Sequence, residues 1–225
     1  MTRTIDRQAA GEFIVPRWQE LKFDEVKRYV EANLKLHPDD PHSYYIRAQS
    51  RMLQLAHSGT EVFSKPESAA LVKDLKKAIS LFDRDQLKRD LECINEAAFV
   101  QTLLATVYLT SGKTKALNQS AQRAAEWVTS REFPPDPDLY INPAILAEAY
   151  IKLSICHERL KISRTKYQAA MVGAVANYRR AGDVANMNMA IRCHVEAFGY
   201  APISAENMAV ELPKFLDAQL GGRNQ

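Results

Sequence analysis

The stretch FDEVKRYVEANLKLHPDDPHSY, Phe23–Tyr44, decides how this chain is read. Val26, Tyr29, Val30, Asn33 and Leu34 fall on one face of a helix with Asp24 at its cap. His37-Pro38-Asp39-Asp40-Pro41 ends that helix, because proline has no amide donor and pushes the residue before it towards extended geometry. A second helix is expected from Pro41 to His57, closed by Ser58 and Gly59. Two amphipathic helices on a short polar loop make an antiparallel hairpin.

The rest of the chain has the same punctuation. Pro66 suits the first turn of a helix through Leu71, Leu75, Ile79 and Phe82. Asp83 or Asp85 starts a long pattern, Leu87, Leu91, Ile94 and Ala98, that continues to Tyr108 and stops at Ser111 and Gly112. Leu117, Ala121, Ala124 and Val128 form the stripe of a buried face. The segment 133–138 holds three prolines and cannot be helical, so it marks a weak boundary. Asn142 caps and Pro143 opens a helix whose apolar face runs from Ile145 to Leu160. Ser163 starts another that Gly182 closes, and Asp183 caps the next, through Phe198. Ser204 begins a last helix interrupted at Pro213. The expected fold is all-α, eight to ten helices in antiparallel hairpins, stacked as a short solenoid or an irregular bundle. Residues 1–220 form a single helical domain in this reading, and 221–225 a frayed tail.

Composition agrees. Hydrophobic residues at 46% and charged residues at 25% argue against disorder. Eight glycines in 225 residues is sparse, as helices require. Three cysteines, Cys93, Cys156 and Cys193, sit far apart inside apolar helical patterns, which fits a reducing cytoplasm better than a disulfide framework. No window approaches the ~18 apolar residues of a membrane span, and the N-terminus lacks the apolar core of a secretory signal. A net charge of +3 does not by itself argue for nucleic acid.

Val26, Val30, Asn33, Leu34 and Pro38 resemble the second helix of a tetratricopeptide repeat, and Asp40-Pro41 through Tyr44, with Ala48, resembles the start of the next. Leu104-Ala105, Tyr108 and Gly112, followed by Leu117, Ala121 and Ala124, resemble another repeat; Tyr178, Gly182 and Ile191 resemble a third. Arg51 stands where the family has a tyrosine, and the intervals between the matches are not multiples of the family's repeat of about 34 residues. The resemblance implies stacked helix pairs that present a groove to a protein segment. It places Tyr45, Gln49 and Met52, then Thr102, Thr106 and Thr110, on that groove, with Arg179 and Arg180 as contacts to a partner. The threonines repeat every fourth residue and form a polar stripe able to donate hydrogen bonds.

Catalytic constellations are weak. His37-Pro38-Asp39-Asp40 is similar to the zinc motif of the metal-dependent de-N-acetylase family, which implies a hydrolase at His37 and Asp40. In that family the motif follows a strand, whereas here it follows a helix; a proline-bounded loop with a capping aspartate explains it better. The sequence has no phosphate-binding glycine loop, nucleophile elbow or Cys-x-x-Cys pair, and no cofactor is expected. Cys156-His157 and Cys193-His194 would share a metal only if their helices met. Lys152, Arg159, Lys161, Arg164, Lys166, Arg179 and Arg180 form a basic stretch, readable as a solvated helix face or as a patch for acidic peptides or phosphates. The expectation is therefore a non-catalytic adaptor for a protein or peptide partner. Nucleic-acid or phosphate binding through 152–180 is the second reading.

Overall fold

The computed structural model describes residues 7–82, 90–132 and 140–198, and among these every regular element is an α-helix. The helices are α1 (Arg7–Gln19), α2 (Phe23–Leu36), α3 (Pro41–His57), α4 (Lys65–Leu81), α5 (Leu91–Thr110), α6 (Lys115–Thr129), α7 (Pro143–Arg159), α8 (Arg164–Arg180) and α9 (Val184–Phe198). None of the described helices is long and apolar enough to cross a membrane. The chain divides into two compact units, Met1–Ile141 with α1 to α6 and Asn142–Gln225 with α7 to α9. Within each unit, every helix packs principally on its neighbours in sequence.

Side-chain caps start most of these helices, because each first turn has amides without intrahelical acceptors. Asp40 accepts from the Ser43 amide at α3, Thr114 from Leu117 at α6, and Asn142 from Ala144 at α7. Ser64 and Glu67 form a reciprocal capping box at α4. Asp183 accepts from the Asn186 amide at the start of α9. Gly182 supplies the turn before it with φ of 72°, a conformation that costs other L-residues energy.

Three details differ from the sequence reading. Helix α1 was not anticipated, since Pro16 lies inside it and its apolar residues follow no clear stripe. Asp24 sits in the first turn of α2 rather than at its cap; the cap position is Lys22 and makes no side-chain bond. The described start of α5 is capped by Asp90, which accepts from the amides of Glu92 and Cys93. Asp83, Asp85, Leu87, the proline segment 133–138, the helix read from Ser204 and the tail 221–225 lie outside the described residues.

In the first unit, Ile14, Val26, Val30 and Ile46 form a core that Phe13, Trp18, Tyr29, Leu34 and Tyr45 flank. Each such aliphatic side chain contributes about 1.5–3 kcal/mol when fully buried. Ala98 and Ala105 on α5 and Ala121 and Ala125 on α6 are wholly buried, and small residues let these two helices approach closely. Helices α1, α3 and α5 also meet through side chains. Trp18 Nε1 donates to Ser50 Oγ at 2.9 Å, and the Tyr45 and Phe99 rings meet edge to face with centroids 6.3 Å apart. In the second unit, Ala147, Met171, Ala174, Val175, Tyr178 and Ala190 join α7, α8 and α9.

Candidate functional site

Helix α3 has two working faces set by helical periodicity. Tyr44, Arg47, Arg51 and Gln54 lie on one, and His42, Tyr45, Ile46 and Gln49 on the other. The first face floors a groove of about 930 Å³ whose sides are α2 and α4. Five cations, Lys27, Arg47, Arg51, Lys73 and Lys77, line it against three carboxylates, Asp24, Glu31 and Asp74.

Several of these charges are held in place by partners from neighbouring elements. Arg47 Nε and Nη2 donate to Asp74 Oδ2 and Oδ1 at 2.7 and 2.6 Å, a two-point clamp between α3 and α4. Hydrogen bonding to Asp74 outweighs burial and raises the Arg47 guanidinium above its ordinary value. Arg51 Nη2 lies 3.2 Å from Glu67 Oε1, and its Nη1 donates to Gln54 Oε1 at 2.7 Å. Lys77 Nζ is 3.7 Å from Asp39 Oδ1, so the loop before α3 also reaches α4. Charges fixed in this way lose less conformational freedom when a ligand arrives.

The opposite face of α3 borders a smaller cavity of about 270 Å³ shared with α1 and α5. Tyr45 and Gln49, both expected on a groove, do line one cavity, together with Trp18, Phe99, Glu92 and Glu96. Met52 is half-buried and lines neither space. The threonine stripe behaves differently from the expectation. Thr102 is buried and donates to the Ala98 carbonyl at 2.9 Å, Thr106 donates to Thr102 at 3.0 Å, and Thr110 donates to the Thr106 carbonyl. Their hydroxyl protons are thus directed into α5 rather than towards a ligand. Trp127 lines a third space with Lys76, Tyr108 and Arg123, and the Arg131 guanidinium lies 3.8 Å from its ring centroid.

The basic stretch does not form one patch. Lys152 is largely covered and its Nζ lies 2.6 Å from Glu148 Oε2, while Arg159 is half-buried. Lys161, Arg164 and Lys166 are exposed near the start of α8, and Arg179 and Arg180 are exposed at its other end. Arg179 lies fifteen positions beyond Arg164 in the helix, about 22 Å along the axis. Arg180 Nη1 donates to Asn177 Oδ1 at 3.1 Å, and neither Arg179 nor Arg180 lines any of the three spaces described above.

Glu148 joins α7 to α8 by accepting from Lys152 and from the Tyr178 hydroxyl at 2.5 Å. Burial disfavours its charge, but the Lys152 ammonium and these two hydrogen bonds prevail and hold the carboxyl below its ordinary 4.5. Burial, then the contact with Glu148, pushes the Tyr178 phenol well above its ordinary 10.0. Stability from Glu148 is present above pH 4.5 and lost as the pH falls through the lowered folded value. Stability from Tyr178 is present below pH 10.0 and declines above it, where the unfolded chain ionises first. Denaturation midpoints against pH are expected to show a shallower acid-side loss in Glu148→Gln and a shallower alkaline loss in Tyr178→Phe. Parallel curves for the variants and the wild type would contradict this linkage.

In the proline loop Asp40 is engaged by its own neighbours. Asp40 Oδ2 accepts from Asn33 Nδ2 at 3.1 Å, from the Ser43 amide at 3.0 Å and from Ser43 Oγ at 2.6 Å, which is the work of a buried cap. His42 Nε2 lies 3.1 Å from Glu96 Oε2. Among the described residues, no three His, Cys, Asp or Glu side chains group to hold a metal ion. Cys156 and His157 are buried on α7, and Cys193 is exposed on α9.

Sequence reasoning missed Arg47, Lys73, Asp74 and Lys77. A polar face at 44, 47, 51 and 54 is visible in the sequence as spacings of three and four, but the pairing of Arg47 with Asp74 is a tertiary contact without a local signal. The sequence matches no protein-family model, and the curated proteins and the solved structures each yield no similar chain.

Proposed function

We propose that this protein is a non-catalytic binding module, an adaptor that holds a segment of a partner protein in the groove over α3 between α2 and α4. The observation that carries this reading is the groove itself: about 930 Å³, with Arg47 clamped by Asp74 and further cations on both walls. Such a volume lies at the upper end of the range of ligand clefts and admits several consecutive residues of a peptide. Fixed charges of both signs give register to an extended chain, and Lys27 and Lys73, exposed on the two walls, favour segments with carboxylates. The family resemblance points the same way, because stacked helix pairs present broad surfaces without rearrangement. Three unbridged cysteines support a reducing compartment such as the cytoplasm.

Peptides selected from a random display library against the full chain test the proposal. Lys27→Glu/Lys73→Glu, on exposed positions of α2 and α4, is expected to weaken the selected peptides roughly ten-fold or more, since reversal sets like charges against the ligand. Arg179→Glu/Arg180→Glu is expected to leave them unchanged. Peptide mass should be unaltered after long incubation. Loss of binding in the α8 variant alone, or cleavage of the peptide, would refute the proposal.

A further inference from the structure

The space that Trp127 lines differs in chemistry from the groove over α3, with which it shares no residue. Its floor is α5 and its walls are α4 and α6, and it measures about 270 Å³. Lys76 stands on one wall and Arg123 on the other, Gln101 and Tyr108 lie on the floor, and no aspartate or glutamate is among the lining residues. All four of these side chains can donate hydrogen bonds. Gln101 is only 9% exposed, yet among the described residues its amide makes no hydrogen bond. A polar group so well covered is ordinarily hydrogen-bonded, so this amide is held ready for a group that enters the space. Neither Lys76 nor Arg123 is ion-paired among the described residues. Arg123 donates to Ser120 Oγ at 3.3 Å, while Glu126, one turn further along α6, accepts from Gln122 Nε2 at 2.7 Å. Two cations facing one another across donors attract an anion. A phosphate group brings about −1.5 to −2 charges at pH 7 and balances both, whereas a carboxylate balances one. Its oxygens spread tetrahedrally and suit donors that converge from three helices. Leu104 and Trp127 offer an apolar side to the carbon stem of an ester, and the volume leaves room for a few waters at ~30 Å³ each.

We infer that this space is a pocket for a dianionic phosphate group, free in solution or carried as a monoester on a side chain of a partner protein. Lys76 and Arg123 meet its oxygens from opposite walls, and Gln101 and Tyr108 donate from the floor. The pocket does not depend on the reading given to the groove between α2 and α4.

Isothermal titration calorimetry of the full chain tests this with inorganic phosphate, N-acetyl-phosphoserine methylamide and N-acetyl-aspartate methylamide. Both phosphates are expected to bind saturably, with the aspartate probe about ten-fold weaker or more. Lys76→Gln/Arg123→Gln, at exposed positions, is expected to weaken the phosphates about ten-fold or more while circular dichroism reports an intact fold. Gln101→Met keeps the bulk of the side chain, removes the amide and is expected to weaken them several-fold. Lys27→Gln/Lys73→Gln removes the same charge from the other groove and is expected to change binding by less than about two-fold, because solvent screens charges at that remove. Tighter binding of capped phosphoserine than of inorganic phosphate assigns the pocket to a phosphorylated partner; equal or weaker binding assigns it to dissolved phosphate, and both support the inference. The absence of saturable phosphate binding would overturn it, as would equal binding of the aspartate probe or indifference to either pocket variant. A loss confined to Lys27→Gln/Lys73→Gln would put the phosphate in the groove over α3 and equally overturn it.

Discussion

Replacing Gly173 by alanine is expected to destabilise the second unit by about 1–2 kcal/mol, although alanine is the better helix former. Gly173 lies inside α8, and a Cβ built on it meets Cδ1, Cε1 and Cζ of the Tyr150 ring, each at 2.9 Å. Alanine at an unobstructed helical site gains ~1 kcal/mol over glycine. Here that gain is outweighed, because the obstacle is the body of a ring between α7 and α8 rather than a flexible chain end. Gly173→Val adds branching on the same atom and is expected to cost about 3 kcal/mol. Urea denaturation gives both values, and a double-mutant cycle identifies the cause. With Tyr150→Ala as background, Gly173→Ala should become stabilising, since only the helical preference remains. Stabilisation by Gly173→Ala with Tyr150 in place would show that the ring yields freely, and that the close α7–α8 packing is not set by the glycine.

The second large effect is expected at Asp40. Asp40→Ala should cost about 3 kcal/mol, the sum of a lost helix cap at ~1 kcal/mol and buried donors left without their acceptor at ~1–3 kcal/mol. Asn33, the Ser43 amide and the Ser43 hydroxyl all converge on one oxygen of this carboxylate, which is buried beneath the loop joining α2 to α3. The adjacent Asp39 makes a sharp contrast. Its side chain is 62% exposed and 3.7 Å from Lys77, so Asp39→Ala should leave stability unchanged within error. Equal losses in the two variants would mean that the loop is not held by the Asp40 cap. A large change in bound metal in Asp40→Ala, with stability retained, would return the loop to the hydrolase reading.

What could be read from the sequence was set by local physics. Helix α3 was legible from Pro41 to His57 because a capping aspartate and a first-turn proline open it and Ser58-Gly59 closes it. The all-helical class followed from recurring apolar spacings such as Leu117, Ala121, Ala124 and Val128, three of which are buried in α6. Helix α1 was not legible, because its fold rests on tertiary contacts: Ile14 enters the core with Val26 and Val30, and Trp18 bonds to a serine 32 residues away. The groove between α2 and α4 was not legible: Tyr45 and Gln49, expected on a groove, line the smaller cavity on the other face of α3, and the threonines were read as ligand donors although a mid-helix threonine can bond to its own preceding turn. The arginines at the end of α8 were singled out from a repeat resemblance at Tyr178, Gly182 and Ile191 together with the density of basic charge, neither of which fixes where a concave surface lies.

The most direct test of the binding assignment is hydrogen–deuterium exchange of the full chain with and without a library-selected peptide. Slowed exchange confined to 23–36, 41–57 and 65–81, the helices that wall and floor the groove, is the predicted result. Protection concentrated in 164–180, or spread without preference over the described helices, would contradict it.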